Sequence, residues 1–290
     1  MSNTKHPSIV CGLIGSGIQA SLTPAMHEQE GEAQGFRYVY KTIDLDPLGL
    51  DVDALPQLLT AARQMGYSGL NITYPCKQAI VPLLDELSDE ARALNAVNTV
   101  VIRNGRTIGH NTDCSGFAEG FRRGLPGVSM DKVVQLGSGG AGAAVAHAAL
   151  SLGARQLTVF DIDPSRAEVL AASLCERFGE GRCVAGTDLA AAMAETDGLI
   201  HCTPTGMAKL PGLPLPAELI ESRIWVAEIV YFPLETELLR VARAKGCATL
   251  DGGGMAVFQA VGAFRHFTDI EPDADRMRAH FLSMVGAKSN

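Results

Sequence analysis

Nowhere do the 24 lysines and arginines of this chain gather into a basic run, and the 32 aspartates and glutamates leave a formal charge of -8. A nucleic acid or an anionic membrane surface has no electrostatic footprint here, so an anionic ligand must be held by a few local donors. No stretch reaches the roughly 18 consecutive apolar residues of a membrane span. Residues 1–7 carry no apolar run behind a basic segment. The expectation is therefore a cytoplasmic protein with neither a nucleic-acid nor a membrane partner. The 7 cysteines are an odd number without a Cys-x-x-Cys pair, which argues against a disulfide framework and against a zinc site, so no metal is expected. Low-complexity tracts are absent too, and the ordinary hydrophobic content of 47% is that of a globular protein.

What is present is a succession of strand and helix signals over 290 residues, a length that favours two domains, each able to bury its own core, with a cleft between them. Ile9 to Ile14 is a short apolar run, Phe36 to Ile43 is rich in aromatic and β-branched residues, and Gly69 to Thr73 forms a third strand. Leu55, Leu58, Leu59 and Ala62 recur at helical spacing around Pro56. Val97 to Arg103 and Arg106 to Asn111 flank Asn104-Gly105, a strong hairpin signal. The alternation predicts an α/β substrate domain with a mainly parallel sheet over 1–112, with 255–290 packing back on it. A dinucleotide-binding domain of the Rossmann type is predicted over 113–254.

Two glycine loops compete for the dinucleotide. Gly15-Ser16-Gly17-Ile18-Gln19-Ala20 fits the fingerprint by pattern, but Pro24 follows closely and is expected to prevent a long helix there, so the loop is not expected to hold phosphate. Gly137-Ser138-Gly139-Gly140-Ala141 lies between the strand Val133 to Leu136 and the alanine-rich helix Ala143 to Leu152, which is the context the fingerprint requires. Asp161 closes the next strand at about the spacing of a ribose-binding acid. Its carboxylate would accept from a ribose 2′-hydroxyl and repel a 2′-phosphate. Asp163 adds negative charge or caps the next helix, and no cation occupies 162–165. NAD is therefore expected as cofactor, with NADP less favoured. His27, His147 and His201 read as helix, packing or loop residues.

Upstream of the second loop stand Asn71-Ile72-Thr73-Tyr74-Pro75-Cys76-Lys77 and Asn111-Thr112-Asp113. Hydroxyls, amides, one ammonium and one carboxylate suit a small polyol acid, and a proton-handling pair beside a dinucleotide points to a dehydrogenase. At these residues the chain resembles the shikimate dehydrogenase family, from about Gly12 to Phe264. The family's Ser-x-Ser-Pro stands here as Ser21-Leu22-Thr23-Pro24, its Asn-x-Thr-x-Pro-x-Lys as 71–77, its Ala-Val-Asn-Thr as 96–99, and its Asn-Thr-Asp as 111–113. Its Asn-Ala-Thr-Pro-x-Gly-Met becomes His201-Cys202-Thr203-Pro204-Thr205-Gly206-Met207, and its Gly-x-x-Met with Gln-Ala lies within 252–260. Two departures stand out. Asp161-Ile162-Asp163 replaces the Asn-Arg-Thr of NADP-using members, and Thr23 replaces a serine, much as in quinate/shikimate dehydrogenases.

The resemblance implies oxidation of shikimate to 3-dehydroshikimate, or of quinate to 3-dehydroquinate, by a monomer or homodimer. It makes Lys77 and Asp113 the catalytic pair, with Lys77 either a base or a charged donor to a developing alkoxide. It assigns Ser21, Thr23 and Tyr231 to the substrate carboxylate, and Thr73, Asn98, Asp113 and Gln259 to ring hydroxyls. Gly137, Ser138, Gly139, Gly140, Ala141, Asp161, Thr203, Pro204 and Gly252 are assigned to the cofactor. A methylenetetrahydrofolate dehydrogenase would share the two-domain plan, but a pterin pocket calls for more aromatic walls. A dinucleotide-sensing regulator would have less need of both Lys77 and Asp113.

Overall fold

A computed structural model describes residues 8–288. They divide into two units, one running up to Thr112 and taking up Gln259–Met284, the other comprising Asp113–Phe258 and the residues from Val285 on. The chain order begins β1 (Ser8–Gly15), α1 (Thr23–Ala33), β2 (Arg37–Asp44), α2 (Leu45–Leu48), α3 (Leu55–Gln64) and β3 (Gly69–Ile72). It continues with α4 (Cys76–Ala79), β4 (Glu86–Leu87), α5 (Asp89–Leu94), β5 (Thr99–Arg103), β6 (Arg106–His110) and α6 (Thr112–Gly124). Then come β7 (Lys132–Leu136), α7 (Gly140–Ser151), β8 (Gln156–Phe160), α8 (Pro164–Phe178), β9 (Cys183–Ala185), α9 (Leu189–Glu195) and β10 (Gly198–His201). The last elements are β11 (Trp225–Glu228), α10 (Glu237–Ala244), β12 (Ala248–Leu250), α11 (Gly253–Thr268) and α12 (Ala274–Lys288).

The first unit is built on a sheet of order β2-β1-β3-β5-β6-β4. β1 pairs in parallel with both β2 and β3, while β5 runs antiparallel to β3 and β6. The antiparallel step follows from the Asn104-Gly105 turn, where both residues have positive φ (51° and 77°), the backbone a two-residue hairpin loop demands. One face packs Ile14, Leu70, Ile72 and Val100 against Leu55, Leu59 and Ala62 of α3. The other packs Cys11, Leu13, Tyr38 and Tyr40 against Phe264 and Phe267 of α11. The fully buried Glu30 of α1 holds α12 through two bonds to Arg276, 2.8 Å and 2.7 Å long.

The sheet of the second unit has the order β12-β11-β10-β7-β8-β9, with every pair parallel. This is the doubly wound Rossmann arrangement, whose strand order reverses between β7 and β10. α7 is buried from Ala144 to Leu150 because its alanines let it lie close on the sheet. The short strands β4 and β9 and the helix α6 carried no signal in the sequence reading. Among the described residues, no helix is long and apolar enough to cross a membrane.

The expectation about Pro24 needs correction. α1 does start beside the first glycine loop, and Pro24 sits in its opening turn, where its missing N–H costs nothing. Something other than a broken helix therefore fills that loop.

Candidate active site

In the first unit the loops after β1 and β3 leave the sheet at its β1/β3 switch point, the position at which open α/β sheets take ligands. The loop after β1 is closed by Asp44, the last residue of β2. Its carboxylate accepts from the backbone N–H of Gly17 (3.0 Å) and Ile18 (3.1 Å) and from the Gln19 side chain (3.0 Å). Burial works against the charge on Asp44, yet the Gln19 amide and the backbone N–H groups of Gly17, Asp46 and Ile18 outweigh it and hold the carboxyl below its usual range. The anion this glycine loop binds is its own aspartate. The latch also sets Ser21, whose N–H bonds to the Ile18 carbonyl at 3.0 Å and whose hydroxyl accepts from Thr23 N at 3.3 Å. Ser21 and Thr23 are both half-buried.

The loop after β3 is stitched to the first by Ser16 N to the Tyr74 carbonyl and by Thr73 N to the Ile14 carbonyl, both at 2.9 Å. Lys77 is half-buried in the first turn of α4, and its carbonyl accepts from Val97 N at 2.9 Å. That bond brings the lysine segment beside Asn98. Asn71 is buried, accepts from the Tyr40 hydroxyl (2.7 Å), and donates to the Asn98 carbonyl (3.1 Å) and Thr99 Oγ1 (3.0 Å). Asn98 donates through Nδ2 to Thr112 Oγ1 (3.0 Å) and accepts from Thr112 N (2.7 Å). Asn111 donates to the Ala96 carbonyl at 3.0 Å. Three separated motifs, 71–77, 96–99 and 111–112, thus form one buried polar network in which each amide orients the next. Tyr40 belongs to it and was missed, since a tyrosine on an aromatic strand reads as core. Gln259 lies half-buried on α11.

In the second unit Asp113 is buried in the first turn of α6. Gly137 follows β7 with φ of +98°, and a Cβ there would stand 2.7 Å from the Cys202 carbonyl oxygen, so only glycine fits. Ser138 and Gly139 lead into α7, which opens with Gly140 and Ala141 and whose N-terminus supplies partial positive charge. Asp161 Oδ2 accepts from Ser138 N (2.7 Å) and Oγ (2.6 Å), so the acid and the glycine turn form one unit. Burial opposes ionisation of Asp161, but the Ser138 donors, Asp163 N and the Arg166 guanidinium outweigh it and keep its carboxyl low. Asp163 caps α8 by accepting from Ser165 N at 3.1 Å. Arg166 lies in α8, yet its Nη1 is 4.0 Å from Asp161 Oδ1 and its Nη2 lies beside Gly139. The absence of a cation at 162–165 therefore understated the positive charge near Asp161.

The same sheet edge carries Thr203 and Pro204 after β10 and Tyr231, 40% exposed, after β11. Gly252 packs so closely on the Ile229 and Val230 carbonyls that a Cβ would fall 2.4 Å from the first. The strand order, glycine turn, helix N-terminus and charged acid together fit a dinucleotide. His201 ends β10, fully buried, as a packing residue. Its Nδ1 stands 2.9 Å from both carboxylate oxygens of Glu228. His27 and His147 are both buried on helices, at 0% and 4% exposure. Among the described residues, no group of three or more His, Cys, Asp or Glu is placed to hold a metal ion.

Comparison with known proteins matches residues 13–100 to the shikimate dehydrogenase substrate binding domain and residues 106–224 to the alanine dehydrogenase/PNT C-terminal domain. Over 281 residues the chain is 58% identical to a shikimate dehydrogenase (NADP(+)) of Streptomyces avermitilis, covering 96% of this chain and 97% of the relative. The chain belongs to the shikimate dehydrogenase family. Another member, a quinate/shikimate dehydrogenase (NAD(+)) of Corynebacterium efficiens, is 51% identical over 96% of this chain and 99% of its own. The solved quinate dehydrogenase from Corynebacterium glutamicum in complex with NAD superposes with a TM-score of 0.91 at 50% identity, covering 95% of this chain and 99% of that one.

Proposed function

We propose that this chain interconverts shikimate with 3-dehydroshikimate, and quinate with 3-dehydroquinate, and prefers NAD to NADP. It is an NAD(P)-dependent dehydrogenase of the shikimate and quinate class. The observation that carries the substrate reading is the buried Asn71–Asn98–Thr112 network. It holds backbone and amides rigid around Thr73 and Lys77 at the switch point of the first unit, as recognition of a hydroxylated ring requires.

In this reading residues 1–112 with 255–290 bind substrate and 113–254 bind the dinucleotide. Lys77 and Asp113 handle the hydroxyl proton. Ser21, Thr23 and Tyr231 hold the carboxylate, while Thr73, Asn98, Asp113 and Gln259 hold ring hydroxyls. Asn98 Nδ2 spends one proton on Thr112, and in this reading the other would serve the ligand. The glycine turn 137–141 and Asp161 would hold the dinucleotide, flanked by Thr203, Pro204 and Gly252. A dinucleotide held there would supply the hydride chemistry. The chain's own part is to orient the ring, exclude water and move the proton.

NAD preference rests on the ionised Asp161 and on Asp163 beside it, with Arg166 as the opposing charge. Relatives bear on both sides, since the Streptomyces protein is named for NADP and the Corynebacterium protein for NAD. A cytoplasmic monomer or homodimer completes the proposal. Steady-state rates for shikimate and quinate against NAD and NADP test it through absorbance of the reduced nicotinamide. NAD with shikimate should give a high kcat/KM. A higher kcat/KM with NADP would overturn the cofactor preference, and no turnover of either acid would overturn the substrate reading.

A further inference from the structure

The side chains of Glu228 and His201 are both fully buried at the carboxyl ends of neighbouring parallel strands. A buried carboxylate is costly unless donors surround it, and here they do. Glu228 accepts from His201 Nδ1 (2.9 Å to each oxygen), from Val230 N (3.0 Å to Oε1) and from the Thr236 hydroxyl (3.1 Å to Oε2). Because a carboxylate only accepts, Nδ1 carries the proton, which fixes the ring orientation and aims Nε2 at Thr203 Oγ1, 2.5 Å away. Thr203 Oγ1 in turn accepts from Thr205 N at 3.3 Å. One carboxylate therefore ties down two loops. Through His201 it holds the Thr203–Pro204 loop, and through Val230 and Thr236 it holds the loop that carries Tyr231.

An apolar pair would seal the same strand ends at little or no loss of stability, so what the polar pair contributes is position. We propose that His201 and Glu228 are positioning residues that set the Thr203 hydroxyl for the dinucleotide and, through the shared carboxylate, the Tyr231 loop for the substrate. This rests on the assignments of Thr203 and Tyr231 given above. His201 acts through Thr203, whereas Glu228 acts on both loops.

The test is a double-mutant cycle read by calorimetric NAD binding without substrate, followed by the KM for shikimate. His201→Phe and Thr203→Val should each weaken NAD binding about tenfold, the scale of one lost hydrogen bond in a dry site. The double variant should be no weaker than either single one, because both remove the same interaction. Thr203→Ser, which keeps the hydroxyl, should stay within about threefold of wild type on the same scale. Glu228→Gln should raise both the NAD dissociation constant and the shikimate KM. Whichever way its amide turns, the nitrogen faces Nδ1–H and one donor of the Tyr231 loop. Multiplying effects in the double variant, or unchanged NAD binding in His201→Phe, would overturn the proposal. If His201→Phe fails to fold, Glu228→Gln paired with Thr203→Val gives the same cycle. NAD binding by wild type without turnover of shikimate or quinate would defeat the functional reading, while the NAD-binding cycle would still decide the role of His201.

Discussion

His27 lies at the centre of an aromatic cage in the first unit, with no exposed surface, and the cage should make the fold acid-sensitive in a calculable way. Its ring sits 4.9 Å from Tyr40, 5.8 Å from Tyr38 and 5.9 Å from both Phe264 and Phe267. Tyr38 donates its hydroxyl to Cys11, so it accepts from His27 Nδ1 at 3.0 Å, and Nε2 is left as a buried lone pair without a partner. Burial pushes the imidazole from 6.5 down to about 3. The folded state thus binds the proton more weakly than the unfolded chain, and stability is lost as pH falls below 6.5. The loss is about 1.4 kcal/mol per pH unit until the folded value is reached. Between about pH 7.5 and about pH 4.5 it amounts to about 2–3 kcal/mol from this one group. Carboxylates titrate over part of that range, so the quantity to measure is the difference between wild type and His27→Phe. Urea unfolding followed by circular dichroism supplies it, because the sole tryptophan, Trp225, lies in the second unit and reports on that unit. The difference should move in favour of the variant by about 2–3 kcal/mol on acidification. Parallel curves, with a difference constant to about 0.5 kcal/mol, would refute the cage as a neutral site for the imidazole. The consequence reaches the Asn71–Asn98–Thr112 network, since Tyr40 in the same cage donates to Asn71.

Lys77→Ala should lower kcat by about 100-fold or more with a smaller change in the KM for shikimate, as for an interaction made mainly in the transition state. A near-normal kcat would remove Lys77 from the chemistry. Asp161→Ala removes the carboxylate that opposes a 2′-phosphate and leaves Arg166 beside Gly139. The ratio of kcat/KM for NADP over NAD should therefore rise by about tenfold or more, one tenfold for each 1.4 kcal/mol of repulsion relieved. An unchanged ratio would mean that the acid does not read the ribose.

The α/β alternation was legible because local rules agree with the fold: apolar runs for β1 and β3, aromatic and β-branched residues for β2, Asn104-Gly105 for the hairpin, and a glycine turn before α7. β4 and β9 were not, having two and three residues, too few to show a period. The positions of Lys77, Asn98 and Thr112 could be named from their motifs, but not the bonds among them. Those depend on Val97 N reaching the Lys77 carbonyl, a contact between segments that follow β3 and precede β5.

Asp44 and Glu228 escaped the sequence reading for one cause, the register of parallel strands. β1 and β2 pair Gly15 with Asp44, so that carboxylate arrives at the amides of the first glycine loop. β7 and β8 pair Leu136 with Phe160, which carries the next residue, Asp161, to the glycine turn and Ser138. β10 and β11 pair His201 with Glu228. In a parallel ladder, partners project to the same face and end at the same edge, so an acid closing one strand meets whatever begins the loop of its neighbour. Asp161 was recognised because a fingerprint records its spacing. Asp44 and Glu228 use the same geometry at spacings that no fingerprint records, and the same register logic brings each carboxyl to the edge where its unit would receive a ligand.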